Sequence, residues 1–346
     1  LSTDRPGYQA LTPALVLDAL DAAGLRPDGR LLQLNSYENR VYQAFLEDGQ
    51  AVVAKFYRPG RWSDEQILEE HAFALELAAA EVPVIAPLVL QAGAAAGGRT
   101  TLAHWQPAPG QPAYRFSVSP RCAGREPELE QPETLHRLGR FIGRLHAVGR
   151  RAAFEHRVTL DPARDGPAAL ARVLALDVLS PHEQPAWVDA ARRALDALLA
   201  AFDRHGALQR LRLHGDCHLG NVLWRDAGPH VVDLDDACMG PAVQDLWMLV
   251  SGDAATMAAQ LGRLLAGYEE WVDFDPRERR LIEPLRTLRM LRHSAWLAER
   301  WIDPAFPAAF VDFGTPAYWS QQTTQLREQL EAMATAAAGS DPAVLD

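Results

Sequence analysis

Apolar and polar positions along the first third of the chain alternate between two rhythms. Residues 13–25 (PALVLDALDAAGL) carry apolar side chains at helical spacing and stop at Gly24, which predicts a short amphipathic helix. Three strand-like runs follow: Leu31-Leu32-Gln33-Leu34, Val41-Tyr42-Gln43-Ala44-Phe45 and Ala51-Val52-Val53-Ala54-Lys55-Phe56-Tyr57. Turns such as Glu47-Asp48-Gly49 separate them, a meander signature. Ser63 as N-cap with Gln66 three residues on predicts a helix to about Ala80, ended by Val82-Pro83. Further strands are expected at 84–91, 100–105 and 114–118, with the Pro/Gly-rich stretch 106–112 as a loop. From 132 the period is mostly helical: 132–149, 187–203, 241–251, 254–271, 276–302 and 316–336. The Ala-rich tail beyond about 333 reads as frayed. Strands before helices predict an α+β chain, with a small antiparallel-sheet lobe over 1–119 and a larger α-helical lobe over 120–346.

Composition narrows the function classes. A chain of 346 residues, 48% hydrophobic, can bury a full core and has material for two. No run of 18 apolar residues occurs, so no membrane span is expected, and no n-region/h-region pattern opens the chain. A net charge of −11 argues against nucleic acid as a partner, although Arg286, Arg289 and Arg292 share one helical face. Cys122, Cys217 and Cys238 lack CxxC or Cys/His spacing, which favours a reducing cytoplasm over a disulfide framework or zinc ribbon. No internal repeat is present.

The densest chemistry lies in His214-Gly215-Asp216-Cys217-His218-Leu219-Gly220-Asn221. After Val222-Leu223-Trp224 and a turn through Asp226, Gly228 and Pro229, a second apolar run ends in Asp233-Leu234-Asp235-Asp236. An Asp, an Asn five residues on and another Asp about a dozen later is the layout of kinase catalytic and metal loops. The first Asp can accept a proton from a hydroxyl nucleophile. The Asn oxygen and the later carboxylate suit Mg²⁺, which takes few, hard oxygen ligands. Alone, Asp216 would read as a cap or an Asx-turn residue; Asn221 and Asp233 at this spacing turn the reading towards catalysis. Asp235 and Asp236 offer a second metal-side carboxylate, but exposure or capping is the simpler expectation for them. His214 and His218 lack the further ligands of a zinc site; His214 reads as a brace for the loop, and His218 is left open. Asp245 reads as a capping or bracing carboxylate near the start of an apolar helix.

Lys55 is the one lysine in the strongest strand run, where it serves either as an edge-strand gatekeeper or as a phosphate-binding cation that needs a partner. The helix over 63–80 supplies Glu65, Glu69, Glu70 and Glu76. Glu70 shares a face with Ile67, Phe73 and Ala74, whereas Glu69 lies about 100° around the helix, so Glu70 is the expected partner. No GxGxxG joins the first two strands. Asn35-Ser36-Tyr37-Glu38-Asn39-Arg40 stands there instead, either a polar hairpin turn or a loop whose amides and Ser36 hydroxyl donate to phosphate.

These strings resemble the aminoglycoside phosphotransferase/choline kinase superfamily, and within it the bacterial stress response kinase A family. The narrower likeness runs nearly end to end. It rests on Asn35 to Tyr42, Lys55-Phe56-Tyr57-Arg58-Pro59, Ile67-Leu68-Glu69-Glu70-His71, His214 to Asn221, Val232 to Leu249 and Asp303-Pro304-Ala305-Phe306-Pro307. The helix string Leu138-Gly139-Arg140-x-x-Gly143-Arg144-Leu145-His146 adds to the broader match. The resemblance implies a bilobal protein kinase-like fold, ATP as co-substrate and Mg²⁺ as cofactor. It implies Asp216 as proton acceptor, Asn221 and Asp233 on the metal, and Ser36, Lys55 and Glu70 at the nucleotide. The expected acceptor is a protein Ser or Thr, the chain's own included, and a cytoplasmic monomer is expected. A small-molecule kinase and a non-catalytic nucleotide-binding scaffold are the alternatives; the intact Lys55, Asp216, Asn221 and Asp233 set speaks against the scaffold. One departure is Ser119, where the family usually carries an aromatic near the expected hinge.

Overall fold

The computed structural model describes residues 11–91 and 99–338. The elements begin with α1 (Pro13–Ala22), β1 (Pro27–Leu34), β2 (Arg40–Leu46), β3 (Ala51–Phe56) and α2 (Asp64–Ala79). Next come β4 (Leu90–Gln91), β5 (Arg99–Thr100), β6 (Ala103–Trp105), β7 (Tyr114–Pro120), α3 (Pro132–Gly149), α4 (Pro162–Ala175) and α5 (Gln184–His205). Four short strands follow, β8 (Leu211–Leu213), β9 (Val222–Arg225), β10 (Gly228–Val231) and β11 (Cys238–Gly240). The chain closes with α6 (Gln244–Trp247), α7 (Ala254–Tyr268), α8 (Ile282–Arg300), α9 (Ala305–Ala309) and α10 (Pro316–Ala338). Two compact units result. One takes in the described residues up to Val158 with Arg212–Cys238 and Met248–Val272; the other takes in Thr159–Leu211, Met239–Trp247 and the described residues from Asp273.

The first unit is built on a five-stranded antiparallel sheet of order β1-β2-β3-β7-β6. β3 is its middle strand, with Lys55 opposite Val41 on β2 and Ser117 on β7, so Lys55 is not an edge-strand residue. The pleat sends Val52, Ala54 and Phe56 into a core with Tyr42, Ala44, Phe116 and Val118, into which α1 inserts Val16, Ala19 and Leu20. Lys55 therefore points to the opposite face. α2 starts in the expected capping box between Ser63 and Gln66 and buries Ile67, Phe73 and Leu77, but also Glu70 and His71.

Two further contacts in this unit anchor the segment that carries the 214–221 loop. α3 and α7 approach so closely that a Cβ on Gly139 would strike the Leu264 carbonyl oxygen, and one on Gly267 the His136 carbonyl oxygen. Arg212 on β8 donates to the Val148 carbonyl at the end of α3 (3.0 Å) and pairs with Glu76 on α2 (2.8 Å). Two residues later the chain reaches His214.

The second unit is helical, with α4, α5, α8 and α10 packed on one another. Trp187 meets Trp319 edge-on at 5.2 Å, and the Trp319 indole donates to the Val178 carbonyl (2.9 Å). Trp187, Trp319 and Phe306 are core residues, and the partly exposed Trp296 packs on Phe306 (4.9 Å). Among the described residues no helix is long and apolar enough to cross a membrane.

Several elements differ from the sequence reading. Residues 84–91 do not form a strand: Val84 bridges Val231, and only Leu90–Gln91 pair further, because Pro83 and Pro87 remove ladder donors. Helix α4 has no counterpart among the expected helices, since Gly166-Pro167 reads as a break. The helix forms through it from an Asp161 N-cap, and the bare Gly166 admits Leu195. The run 241–251 is helical only over Gln244–Trp247, its apolar residues being buried on all sides rather than along one face. A 3₁₀ turn over Pro276–Leu281 precedes α8, and α10 stays helical to Ala338; the tail beyond lies outside the described residues.

Candidate active site

Every candidate site residue read from the sequence, Ser36, Lys55, Glu70, Asp216, Asn221 and Asp233, falls in the first unit. Gly215 has φ +86°, and a Cβ there would run into the Asp236 carbonyl oxygen, so the turn before Asp216 lies directly against the 233–236 loop. His214 is fully buried and spans the same two loops. Its Nε2 lies 2.9 Å from the Val232 carbonyl oxygen, and its Nδ1 accepts from the Asp216 amide (3.3 Å). One ring nitrogen donates and the other accepts, which fits a neutral imidazole in a bracing role. The Val232 amide in turn donates to the Asn221 carbonyl (3.0 Å). Both backbone polar groups of the residue before Asp233 are thus held by the 214–221 loop.

Asn221 donates its side-chain Nδ2 to the Asp216 carbonyl (3.0 Å), which commits the amide nitrogen and leaves Oδ1 as the ligand-type atom. His218 caps the short turn over Leu219–Asn221 through Nδ1 (3.1 Å from the Gly220 amide), and its Nε2 lies 3.5 Å from Asp216 Oδ2. Asp233 adopts the left-handed conformation (φ 63°, ψ 65°), strained for a residue with a Cβ by roughly 1–2 kcal/mol. Its side chain is half exposed.

The sheet meets this loop through Lys55. Its Nζ lies 3.3 Å from Asp233 Oδ1 and 3.5 Å from Asp235 Oδ1. Burial works against the ammonium, yet Tyr57, Asp235, Asp233 and Glu70 around it raise its pKa well above the ordinary value. Asp235 is not the exposed residue expected from the sequence: it is 3% exposed. Asn39 Nδ2 (3.1 Å) and Arg61 Nη1 (2.5 Å) both reach its Oδ2. Burial alone would raise its pKa, but Lys55, Arg61, Asn39 and Arg157 outweigh that and hold it below the usual carboxylate range. Asp236 pairs with the second arm of the same guanidinium (2.7 Å).

Helix α2 contributes two neighbouring carboxylates with different fates. Glu69 accepts three consecutive amides, from Glu155 (2.5 Å), His156 (2.8 Å) and Arg157 (2.7 Å). Glu70 is buried, and its Oε2 has no hydrogen-bond partner among the described residues. Burial pushes its pKa up to about 7, Lys55 opposing and Asp235 adding to the rise. The ion pairs of Lys55 are with Asp233 and Asp235 rather than with Glu70, which acts on it at longer range. Beside it, His71 bonds Tyr57 Oη (2.7 Å) and Thr101 Oγ1 (2.8 Å), and burial with the Lys55 charge pushes its pKa down to about 3.

The 35–40 loop, where Ser36 sits half-buried, is fixed without a glycine-rich motif. Arg58 donates to the Glu38 and Tyr37 carbonyls (2.9 and 3.0 Å), while its amide donates to Asn39 Oδ1 (3.2 Å). Asn39 then reaches Asp235. Arg157 closes the arrangement by donating to the Asp235 and Ala237 carbonyls (2.5 and 2.8 Å). Sequence reasoning gives Asn39, Arg61 and Arg157 no such role and reads the buried Asp235 as exposed. The available signal was the Arg58-x-x-Arg61 pair just after the Lys55 strand and the adjacent acids of Asp233-Leu234-Asp235-Asp236.

A cation, two hard oxygen donors and a carboxylate beside them form a site suited to phosphoryl chemistry. The comparisons agree. The model of the phosphotransferase enzyme family (APH) matches residues 30–282. Stress response kinase A of Salmonella choleraesuis (strain SC-B67) is 45% identical over 324 residues, 93% of each chain. The serine/threonine protein kinase RdoA of Salmonella typhimurium (strain LT2) is likewise 45% identical over 324 residues and 93% of each chain. Among solved structures, the amicoumacin kinase hAmiN in complex with AMP-PNP, Ca²⁺ and Ami has a TM-score of 0.69 at 19% identity, covering 92% of this chain and 93% of its own. The α+β fold is therefore that of kinase-like phosphotransferases, and the chain belongs to the phosphotransferase enzyme family, as a phosphate-transferring enzyme related over nearly its whole length to stress response kinase A.

Proposed function

We propose that the chain is an ATP-dependent serine/threonine protein kinase. The observation that carries this reading is that the loop holding Asp216 and Asn221 is hydrogen-bonded to Val232, the residue before Asp233, whose carboxylate lies 3.3 Å from the Lys55 ammonium. The donor set fits Mg²⁺: a half-exposed carboxylate at Asp233 and the Oδ1 of Asn221, whose Nδ2 is already committed, are the few hard ligands that a nucleotide-borne Mg²⁺ takes from a protein. When bound, Mg²⁺ neutralises charge on the phosphates.

In this reading residues 1–119 bind the nucleotide, with Ser36 and the 35–40 amides at the phosphates, and residues 120–346 carry catalysis and the acceptor. Lys55 binds the phosphates, and Glu70 adds negative charge that favours the ammonium form. Asp216 orients the acceptor hydroxyl and takes its proton as the oxygen attacks the γ-phosphorus in line; the bond to the ADP oxygen breaks and ADP leaves. Positioning supplies most of the rate. A cytoplasmic, monomeric enzyme acting on protein hydroxyls, its own included, completes the proposal.

A small-molecule acceptor is the second reading, favoured by the amicoumacin kinase likeness. The protein acceptor is better supported, because the likeness to the stress response kinases extends beyond the 30–282 span shared with the general family. Supplying γ-labelled ATP with a mixture of bacterial proteins, and separately with a metabolite pool, tests the choice. Label in protein Ser or Thr is expected; label confined to a metabolite overturns the protein-kinase reading.

A further inference from the structure

We infer that Arg61 is a positioning residue for nucleotide binding: it carries the charge of Asp235, so that Lys55 can leave that carboxylate for the phosphates. The inference rests on the ATP-dependent reading above. The two oxygens of Asp235 are divided between cations. Oδ1 faces Lys55 at 3.5 Å, and Oδ2 takes Arg61 at 2.5 Å and Asn39 at 3.1 Å. Asp235 is 3% exposed, so water does not replace a departing partner. Removing the last cation in direct contact with a buried carboxylate is strongly unfavourable, and Lys55 and Arg61 are the two that touch the Asp235 carboxylate among the described residues. If Lys55 were that last cation, the cost of separating it from Asp235 would be charged against ATP affinity.

Arg61 is built to prevent this. Its Nη1 pairs with Asp235 and its Nη2 with Asp236 at 2.7 Å, so one planar fork spans two adjacent carboxylates. The side chain is itself largely buried, lies 5.2 Å from the Trp62 ring centroid, and has Nε 3.9 Å from Glu38 Oε1. Glu38 belongs to the 35–40 loop, so the same guanidinium sits between the phosphate-side loop and the metal-side loop. Arg157 lies 4.1 Å from the centroid of the same Trp62 ring and holds the Asp235 carbonyl. Arg61 has no place in the proton transfer. It sets how readily Lys55 can change partners.

The test is Mg²⁺-ATP affinity measured by calorimetry on the full chain, beside kcat at saturating ATP and a melting curve. Arg61→Ala is expected to weaken ATP binding at least tenfold with kcat changed less than threefold. Adding Asp235→Asn to Arg61→Ala is expected to restore affinity to within about threefold of the parent, because the uncompensated charge is gone. The melting curve separates this from a loss of fold: Arg61→Ala protein that is still folded at the temperature of the binding measurement is expected to show the weakened affinity. Asp235→Asn alone, which serves if Arg61→Ala does not fold, is expected to bind ATP at least as tightly as the parent. Unchanged affinity in Arg61→Ala, no recovery in the double variant, or a tenfold loss in Asp235→Asn each overturns the inference. Failure of the parent chain to bind Mg²⁺-ATP overturns the kinase reading itself.

Discussion

Lys55 Nζ lies 3.3 Å from Oδ1 of Asp233, joining the middle strand of the sheet to the loop that follows β10. The contact shows that the Asp233 carboxylate is directed at a position where positive charge is held. The left-handed backbone of Asp233 fixes that direction, since the strained conformation persists only where neighbours enforce it. His214 and Asn221 are those neighbours, through Val232.

Asp233→Ala is accordingly expected to weaken Mg²⁺-dependent ATP binding by about 10–100-fold, in line with losing a ligand or its close support at a metal site. Binding in the presence of a chelator should change little. A Mg²⁺ titration of nucleotide affinity that matches the parent chain would remove Asp233 from the metal.

Glu70 gives a pH signature. In the fold it titrates near 7, against an ordinary 4.5. Between those values the folded chain holds a proton that the unfolded chain has lost. Stability from this group is therefore full below about pH 4.5 and is lost as pH rises through 7, a change on the order of 3 kcal/mol. Glu70→Gln removes the titration, so the variant should gain stability on the parent as pH is raised from 5 to 8. A difference in melting temperature that stays constant over this range would refute the burial of an uncompensated carboxyl.

The glycines between α3 and α7 provide a stability prediction. Gly139→Ala places a methyl against the Leu264 carbonyl oxygen, a backbone atom that cannot rotate away. The two helices must separate, at a cost of about 3 kcal/mol or more, the upper range for overpacking. Chemical denaturation measures it. Gly262→Ala on the same α7, where nothing lies within 4 Å of the added carbon, is the control and should be neutral or slightly stabilising.

How much of this was legible in the sequence depended on how local the signal was. That the Asp216–Asn221 loop and Asp233 lie together was legible because they fall within one short segment whose hairpin, β9–β10, can be read from two apolar runs and a turn. Lys55 stood out as a charge within an apolar strand, and helical phase separated the buried Glu70 from Glu69, which accepts the 155–157 amides, but the expected Lys55–Glu70 ion pair gives way to pairs with Asp233 and Asp235. Asp235 was misread as exposed because its partners are remote in sequence. Asn39 and Arg61 lie 196 and 174 positions away, and tertiary packing alone brings them together. Helix α4 was missed for the opposite reason: Gly166-Pro167 is a strong local break signal, overridden by the Asp161 cap and the packing of Leu195.

The central claim is that Asp216 accepts the proton of the acceptor hydroxyl without being needed to hold ATP. The most direct measurement compares Asp216→Ala with the parent chain in single-turnover transfer of the γ-phosphoryl, alongside ATP affinity. Transfer should fall by about 1000-fold, within the range for a positioned general base, while ATP affinity stays within a few-fold. Transfer at near-parental rate by a clean preparation of Asp216→Ala would contradict the assignment.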